Sequence, residues 1–270
     1  MEKVKRNERI SAIVKTLSDN PNKIFTLSHF SNMFGSAKST ISEDVAIAQN
    51  SIEKHKLGKI ETVPGAAGGV KYIPYQKDDV GVFIDDICNI LNDGDRILPG
   101  GFLYMLDILS NPGYVAKMGE MLAMEFYKSN PDFVVTIETK GIPVALMAAR
   151  ALNIPLLIAR RDAKISDGSV VSINYVTGTN NRIQTMSLPK RAVGSGQKAL
   201  IIDDFMKGGG SAKGLMDMMK EFSINVVGVG VVVATKYPEG KRVKEYKALM
   251  ELYNVDEINQ KVDVRAANWI

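Results

Sequence analysis

The chain has little of what several common kinds of functional site need. Among its 270 residues are one cysteine, Cys88, and two histidines, His29 and His55. A single thiol cannot form an internal disulfide, and these side chains are too few and too scattered to predict a zinc site. No run of about 18 apolar residues occurs, and the amino terminus lacks an apolar signal core. We therefore expect a cytoplasmic protein with no membrane partner.

Most of the chain also lacks a net charge of either sign. Residues 1–75 carry 11 Lys and Arg against 7 Asp and Glu, while the formal net charge of the whole protein is +4. All of the excess positive charge therefore lies in the first segment, and the remainder is neutral. A basic segment confined to one end suggests a polyanionic partner there.

The basic segment has the pattern of three helices followed by a hairpin. Helical spacing of apolar residues predicts helices over residues 4–17, after Thr26 and from about Ser36 onward, and residues 59–63 and 70–73 are strand-like. This order is typical of a winged helix-turn-helix domain that binds double-stranded DNA, although an interaction module could share it. The glycine-rich stretch between the two strands would be the wing.

In a winged-helix domain, the helix after the turn enters the major groove by its amino-terminal end. That end is rich here in short hydroxyl side chains, which can reach phosphate oxygens and base edges. The first helix and the hairpin supply further cations. The candidate DNA-binding residues are Lys5, Arg6, Arg9, Ser36, Lys38, Ser39, Thr40, Ser42 and Lys71.

The rest of the chain predicts an α/β fold, with an open, mostly parallel sheet and flanking helices. We expect two domains, 1–75 and 76–270. Residues 76–130 look helical, with an interruption at 111–113, and a terminal helix is expected after Pro238.

The most informative stretch of the sequence runs from Lys198 to Gly214. An apolar run predicts a buried strand that stops at two adjacent carboxylates, and a glycine-rich turn and a helix follow. Glycines let backbone N–H groups approach an anion, and a helix amino terminus favours one, whereas carboxylates accept hydrogen bonds from hydroxyls. A ribose 5-phosphate carries both features. The candidate ligand-binding residues here are Asp203, Asp204, Phe205, Met206, Lys207, Gly208, Gly209, Gly210 and Ser211.

A second loop has the same design. Thr139, Lys140 and Gly141 end one predicted strand and open a helix, so their backbone amides could bind another anion. Arg160 and Arg161 follow the neighbouring strand, and these cations could face the same crevice or simply be solvated. Two alternating runs, 170–176 and 182–186, predict an extended hairpin nearby.

The strand, acid pair and glycine turn resemble the motif of type I phosphoribosyltransferases that binds phosphoribosyl pyrophosphate (PRPP). In that family the acids hold the ribose hydroxyls, and the loop from Lys207 to Ser211 would hold the 5′-phosphate. The second loop and the arginines would hold the pyrophosphate, with the hairpin as a cover. Many members have Thr where this chain has Gly208.

The whole chain is similar to the purine operon repressor family of Gram-positive bacteria. The resemblance rests on segments in the expected order, namely VPGAAGGVKYIP, DRILPGG, KGIP, SINYVTG, NRIQTMSL and IIDDFMKGGG. It implies a homodimeric regulator that binds promoters of purine genes and senses PRPP, with Mg²⁺ as a possible companion ion, without catalysis. The alternatives are an active purine phosphoribosyltransferase, with Phe205 or Tyr175 stacking on the base, and a module for guanine nucleotides that compete with PRPP.

Overall fold

A computed structural model describes residues 4–65, 68–74, 80–162, 168–177 and 182–270. The chain divides into two compact units. The amino-terminal unit comprises Met1–Asp78 with Arg150–Asn153, and the carboxyl-terminal unit comprises Asp79–Ala149 with Ile154–Ile270. The expected domain boundary between residues 75 and 76 stays a prediction, because residues 75–79 lie outside the described ranges.

The amino-terminal unit contains the predicted helices and hairpin in the predicted order. They are α1 (Arg6–Asp19), α2 (Leu27–Phe34), α3 (Lys38–Lys54), β1 (Lys59–Val63) and β2 (Gly69–Ile73). The two strands pair in antiparallel fashion, and residues 66 and 67 of the wing lie outside the described part of the chain. Apolar side chains from all three helices and both strands form one core, including Ile13, Leu17, Phe30, Ile41 and Val70.

Local capping explains where α2 begins and ends. The hydroxyl of Thr26 accepts a hydrogen bond from the backbone N–H of His29 at 3.1 Å. Gly35 follows the helix at φ 60°, a left-handed conformation that glycine adopts without strain. The turn between α2 and α3 is therefore short, as the sequence predicts.

The carboxyl-terminal unit has ten strands and five α-helices in its described ranges, and four of the strands form two hairpins separate from the main sheet. In chain order they are α4 (Val80–Leu91), β3 (Ile97–Leu98), β4 (Phe102–Leu103), α5 (Leu106–Leu109), α6 (Pro112–Glu125), β5 (Phe133–Ile137), α7 (Ile142–Leu152), β6 (Leu156–Ala159), β7 (Val170–Val176), β8 (Ile183–Pro189), β9 (Lys198–Met206), α8 (Gly210–Glu221), β10 (Asn225–Thr235), β11 (Lys247–Asp256) and β12 (Lys261–Ala266).

Six of these strands form one sheet in the order β12-β11-β10-β9-β5-β6. All neighbours pair in parallel except β11 and β12, which are antiparallel. The α/β class and the mostly parallel sheet are confirmed. The carboxyl ends of β5, β9 and β10 meet at one edge of this sheet, which is where ligands bind in open α/β folds. Strands β3–β4 and β7–β8 form two separate antiparallel hairpins.

Two predictions about this unit are wrong. The segment after Pro238 forms β11 and β12 instead of a terminal helix, because Leu249, Met250 and Leu252 are buried where β11 extends the sheet beyond β10. Residues 97–103, expected to be helical, form the β3–β4 hairpin, because Ile97 and Leu98 pair with Leu103 and Phe102. The interruption expected at 111–113 is present, between the end of α5 and the start of α6. The side chain of Asn111 accepts from two backbone N–H groups of the first turn, and Pro112 occupies the position where proline is favoured.

None of the helices in the described ranges combines the length and apolar character needed to cross a bilayer.

Candidate functional site

The glycine turn after β9 forms the first half of the site. β9 does not stop at the two carboxylates, as the sequence analysis expected, but continues to Met206 because its last residues still pair with β10. Gly209 then caps α8 at φ 73°. The first N–H groups of α8 have no acceptor within the helix and point toward the turn. They border a cavity of about 90 Å³ lined by Asp203, Val231 and the whole predicted loop from Phe205 to Ala212.

A neighbouring segment braces this turn. The backbone N–H of Arg242 donates to the carbonyl of Gly208 at 3.0 Å. A Cβ at Gly209 would lie 3.3 Å from the backbone nitrogen of Val243, closer than a side chain normally packs. The turn is thus held from behind by the segment between β10 and β11, and glycine is required by both conformation and space.

The two carboxylates differ in their surroundings. Asp203 is buried, at 6% exposure, and its Oδ1 accepts from the backbone N–H of Asp204 at 2.9 Å. Burial raises the pKa of Asp203 well above the ordinary carboxyl value, and the charge of Asp204 raises it further, while Arg161 acts in the opposite direction. Asp203 therefore retains a proton more readily than an exposed aspartate does, and a ligand that donates hydrogen bonds would favour its ionised form.

The second loop meets the first at Gly141. Thr139, Lys140 and Gly141 connect β5 to α7, and a Cβ at Gly141 would overlap the Asp203 carboxylate. Glu138 accepts from the backbone N–H of Arg161 at 2.7 Å, which ties this loop to the end of β6. The structure therefore brings the second loop and Asp203 into close contact at Gly141.

Lys140, Asp204, Phe205 and Lys207 line a second cavity, of about 340 Å³. This size falls within the usual range for small-molecule sites. The remaining lining comes from the β3–β4 hairpin, from residues at α5, from the end of β10 with the residues after it, and from the second half of β11. It includes Phe102, Tyr237 and Tyr253. Arg160 and Arg161 do not line it, although the backbone of Arg160 bonds to that of Ser187 on β8.

Tyr175 is not available to a ligand in this cavity. It is 6% exposed, its hydroxyl donates to Gln184 at 2.8 Å, and its ring packs against α8 at Gly214. Its suggested role in stacking on a base is therefore wrong, whereas Phe205 does line the cavity. The tip of the predicted covering hairpin, residues 178–181, lies outside the described residues.

The amino-terminal end of α3 presents most of the predicted DNA-binding residues together. Lys38, Ser39 and Ser42 are exposed, and Ser36 and Thr40 are half-buried beside them. Lys38 and Ser42 also border a groove of about 510 Å³ between α3 and the hairpin. Lys71, on β2, lies 3.5 Å from Glu61. This face offers a cation and several hydroxyls to a polyanion.

The first helix contributes differently from what its charge suggests. Arg9 is 6% exposed, and its Nε donates to Asp44 at 2.6 Å, so it fastens α1 to α3 instead of facing solvent. Arg6 is exposed but also lies 3.2 Å from Asp44. Lys5 is exposed at the start of α1. We therefore remove Arg9 from the proposed DNA contacts and regard it as a support for α3.

Two family models divide the chain between them. "Bacterial purine repressor, N-terminal" matches residues 5–74, and "Phosphoribosyl transferase domain" matches residues 106–268. The chain is 42% identical to the purine biosynthesis transcriptional repressor PurR of Bacillus subtilis, over 99% of this chain and 94% of that protein. The chain belongs to the PurR family. It is also 36% identical to the purine biosynthesis transcriptional activator PurR of Lactococcus lactis, over 98% of each.

The fold of the carboxyl-terminal unit occurs in solved enzymes. Adenine phosphoribosyltransferase from Thermoanaerobacter pseudethanolicus matches with a TM-score of 0.54 at 16% identity, covering 62% of this chain and 98% of that one. At this identity the likeness shows the fold alone.

Sequence reasoning missed the part of the candidate site that comes from distant segments. Phe102, Tyr237 and Tyr253 reach the 340 Å³ cavity from two hairpins and a strand end. The one local signal was the Pro99-Gly100-Gly101 turn, which indicates a tight hairpin without indicating what it covers. Within the described residues no group of three or more His, Cys, Asp and Glu side chains is arranged to hold a metal ion.

Proposed function

We propose that this protein regulates purine biosynthesis genes by binding their promoters through the amino-terminal unit and PRPP through the carboxyl-terminal unit. The observation that carries the effector assignment is the close approach of the Thr139–Gly141 loop to Asp203, on the strand that leads into the glycine turn. PRPP carries a 5′-phosphate and a diphosphate on one ribose, and this arrangement offers a place for each of the three groups.

In the proposed complex, the ribose hydroxyls donate to Asp203 and Asp204. The 5′-phosphate accepts from the backbone of Lys207–Ser211 at the amino terminus of α8. The diphosphate lies on Thr139–Gly141, with Lys140 adding charge, and Arg160 and Arg161 contribute from the end of β6. A Mg²⁺ ion would be held chiefly by the diphosphate and water, as is usual for this ion.

The proposed DNA contacts are the amino-terminal end of α3, from Ser36 to Ser42, together with Lys5, Arg6 and Lys71. Exposed hydroxyls and Lys38 on one helix end suit a major groove. A regulator that reads two half-sites works as a symmetric pair, so we propose a homodimer. Acting on the chromosome, it would reside in the cytoplasm. Repression and activation both occur among the named relatives, so promoter context would set the sign.

The second candidate is an active purine phosphoribosyltransferase. The 340 Å³ cavity favours it, since Phe205 and the β3–β4 hairpin border a space next to the proposed ribose site. The same space would admit guanine nucleotides that compete with PRPP. Transfer additionally requires stabilisation of the departing diphosphate, and a regulator that only senses PRPP has no need of it.

Fluorescence anisotropy on labelled DNA from a purine-gene promoter tests both candidates. PRPP with Mg²⁺ is titrated into the protein–DNA complex, and purine ribonucleotide formation is assayed in parallel with each purine base. Sequence-selective DNA binding that PRPP alters, without product, supports the sensor. Product at enzyme-like rates together with unselective DNA binding would replace it with the transferase.

A further inference from the structure

Thr136 is a buried polar residue on an otherwise apolar strand beside the proposed effector site. The other four residues of β5 are Phe133, Val134, Val135 and Ile137, all buried. Thr136 is 0% exposed, and its Oγ1 has no hydrogen-bond partner among the described residues. Valine has the same shape and would fill this position without leaving a polar atom unpaired. A buried hydroxyl without a hydrogen-bond partner is costly, so its presence in this strand needs an explanation.

The Thr136 hydroxyl lies close to the carboxylate of Asp203. An ideal Cβ placed on Gly141 would lie 2.8 Å from Thr136 Oγ1 and would overlap Asp203 Oδ1. Both oxygens therefore border the same small space beside the Gly141 backbone, with one on β5 and the other on the adjacent strand β9. Gly141 belongs to the proposed diphosphate loop. The hydroxyl thus lies where the ribose acids and the diphosphate loop meet.

We infer that Thr136 is a positioning residue for Asp203: when PRPP binds, its hydroxyl donates the hydrogen bond that fixes the Asp203 carboxylate toward the ribose. This inference rests on the proposed effector function. Asp203 Oδ1 accepts a hydrogen bond from the backbone N–H of Asp204. Rotation of the Thr136 or Asp203 side chain within the shared space supplies the second donor.

The chemistry of the carboxylate explains why a second donor is needed. Burial and the neighbouring Asp204 raise the pKa of Asp203, and among the charged groups acting on it Arg161 favours ionisation. An ionised carboxylate accepts hydrogen bonds from ribose hydroxyls with both oxygens, and each further donor to it favours the ionised form. A hydroxyl that donates only to the ionised form lowers the cost of ionisation on binding, and it remains unpaired when the ligand is absent.

The test compares Thr136→Val with Thr136→Ser in the full-length protein, measuring PRPP affinity by calorimetry from about pH 6 to 9 and melting temperature without ligand. Thr136→Val removes an unpaired hydroxyl and keeps the shape, so it should melt at or above the wild-type temperature while binding PRPP about tenfold more weakly. PRPP affinity should begin to increase at a higher pH for Thr136→Val than for the wild type. Thr136→Ser keeps the hydroxyl and loses a methyl group, so it should melt lower yet retain wild-type affinity and pH profile.

These opposite effects separate positioning from packing. Equal affinity and equal pH profile for Thr136→Val and wild type would overturn the inference, as would a Thr136→Ser variant that binds as weakly as Thr136→Val. Thr136→Ala provides a second hydroxyl-free variant should the valine variant fold poorly. Failure of the wild-type protein to bind PRPP in the same titration would instead overturn the effector assignment, so the two failures are distinguishable.

Discussion

At the scale of single residues, the raised pKa of Asp203 would couple stability to the proposed binding of PRPP through one proton. A carboxyl group whose pKa is raised on folding binds its proton more tightly in the folded protein than in the unfolded chain. Its contribution to stability therefore becomes unfavourable as the pH rises above about 4, the ordinary carboxyl value, and through the raised folded value.

Asp203→Asn should remove that penalty. We expect the ligand-free variant to melt a few degrees above the wild type at pH 8, with a smaller difference at pH 5.5, where more of the wild-type carboxyl is already protonated. PRPP affinity should fall by about tenfold or more because an acceptor for the ribose is lost. Differential scanning calorimetry and PRPP titration measure both. A lower melting temperature at pH 8 would mean that the ionised carboxylate stabilises the fold.

Lys38 tests the DNA interface with a control on the same helix. It is exposed at the first position of α3, and within the described ranges it forms no ion pair. Lys38→Ala should weaken operator binding several-fold and reduce the salt dependence by about one released counterion. Lys54→Ala, at the other end of α3, should leave both nearly unchanged. Equal effects of the two variants would show that net charge, and not the α3 amino terminus, determines binding.

Site residues that belong to a short local motif could be predicted from the sequence, but the distant residues that they contact could not. The structure places Asp203 and the glycine turn around one cavity, while Asp204 lines the neighbouring one. Arg9 was assigned to DNA because it belongs to a basic helix. Its partner Asp44 lies 35 positions later, and only the packing of α1 on α3 brings the two together.

At the scale of elements, the close approach of the β5–α7 loop to β9 depends on Gly141. Gly141→Ala would push a methyl group into the Asp203 carboxylate and the Thr136 hydroxyl. Since the neighbouring atoms belong to buried strands, relief requires movement of the loop. We expect PRPP binding to fall by more than about tenfold, with DNA binding in the absence of PRPP unchanged.

Gly81→Ala is the matched control for this prediction. Gly81 lies in α4, and a Cβ there would meet no atom within 4 Å. Alanine favours the helix by about 0.5–1 kcal/mol, so this variant should be slightly more stable and bind PRPP normally. Urea unfolding and calorimetry report the two effects. Normal PRPP affinity in Gly141→Ala would argue that the loop does not carry the diphosphate.

β11, where the sequence predicts a helix, pairs with β10 in the main sheet. Residues 247–256 carry enough apolar side chains for a helix or a strand, and nothing local distinguishes the two. These residues form a strand because β11 pairs in parallel with the edge of β10, from Gly230 to Thr235. Parallel pairing is long-range, so it left no local signal. β11 also supplies Tyr253 to the 340 Å³ cavity, which is why that half of the site was missed together with the strand.

At the scale of the whole molecule, the proposed function joins two binding sites in one chain. If PRPP changes operator affinity, its affinity for the DNA-bound and DNA-free protein must differ by the same factor. This reciprocity needs no knowledge of how the two units are arranged. It is also independent of whether a given promoter is repressed or activated.

The last prediction follows from this reciprocity. The factor by which saturating PRPP changes operator affinity, measured by anisotropy, should equal the factor by which saturating operator DNA changes PRPP affinity, measured by calorimetry in the same buffer. Asp203→Asn should bring both factors toward one while operator affinity without PRPP stays at the wild-type value. Lys38→Ala should shift operator affinity with and without PRPP equally, so that its coupling factor is preserved. A PRPP effect on DNA binding that survives in a variant unable to bind PRPP at Asp203 would locate the effector elsewhere, for example by competition of its phosphates for the basic face of α3.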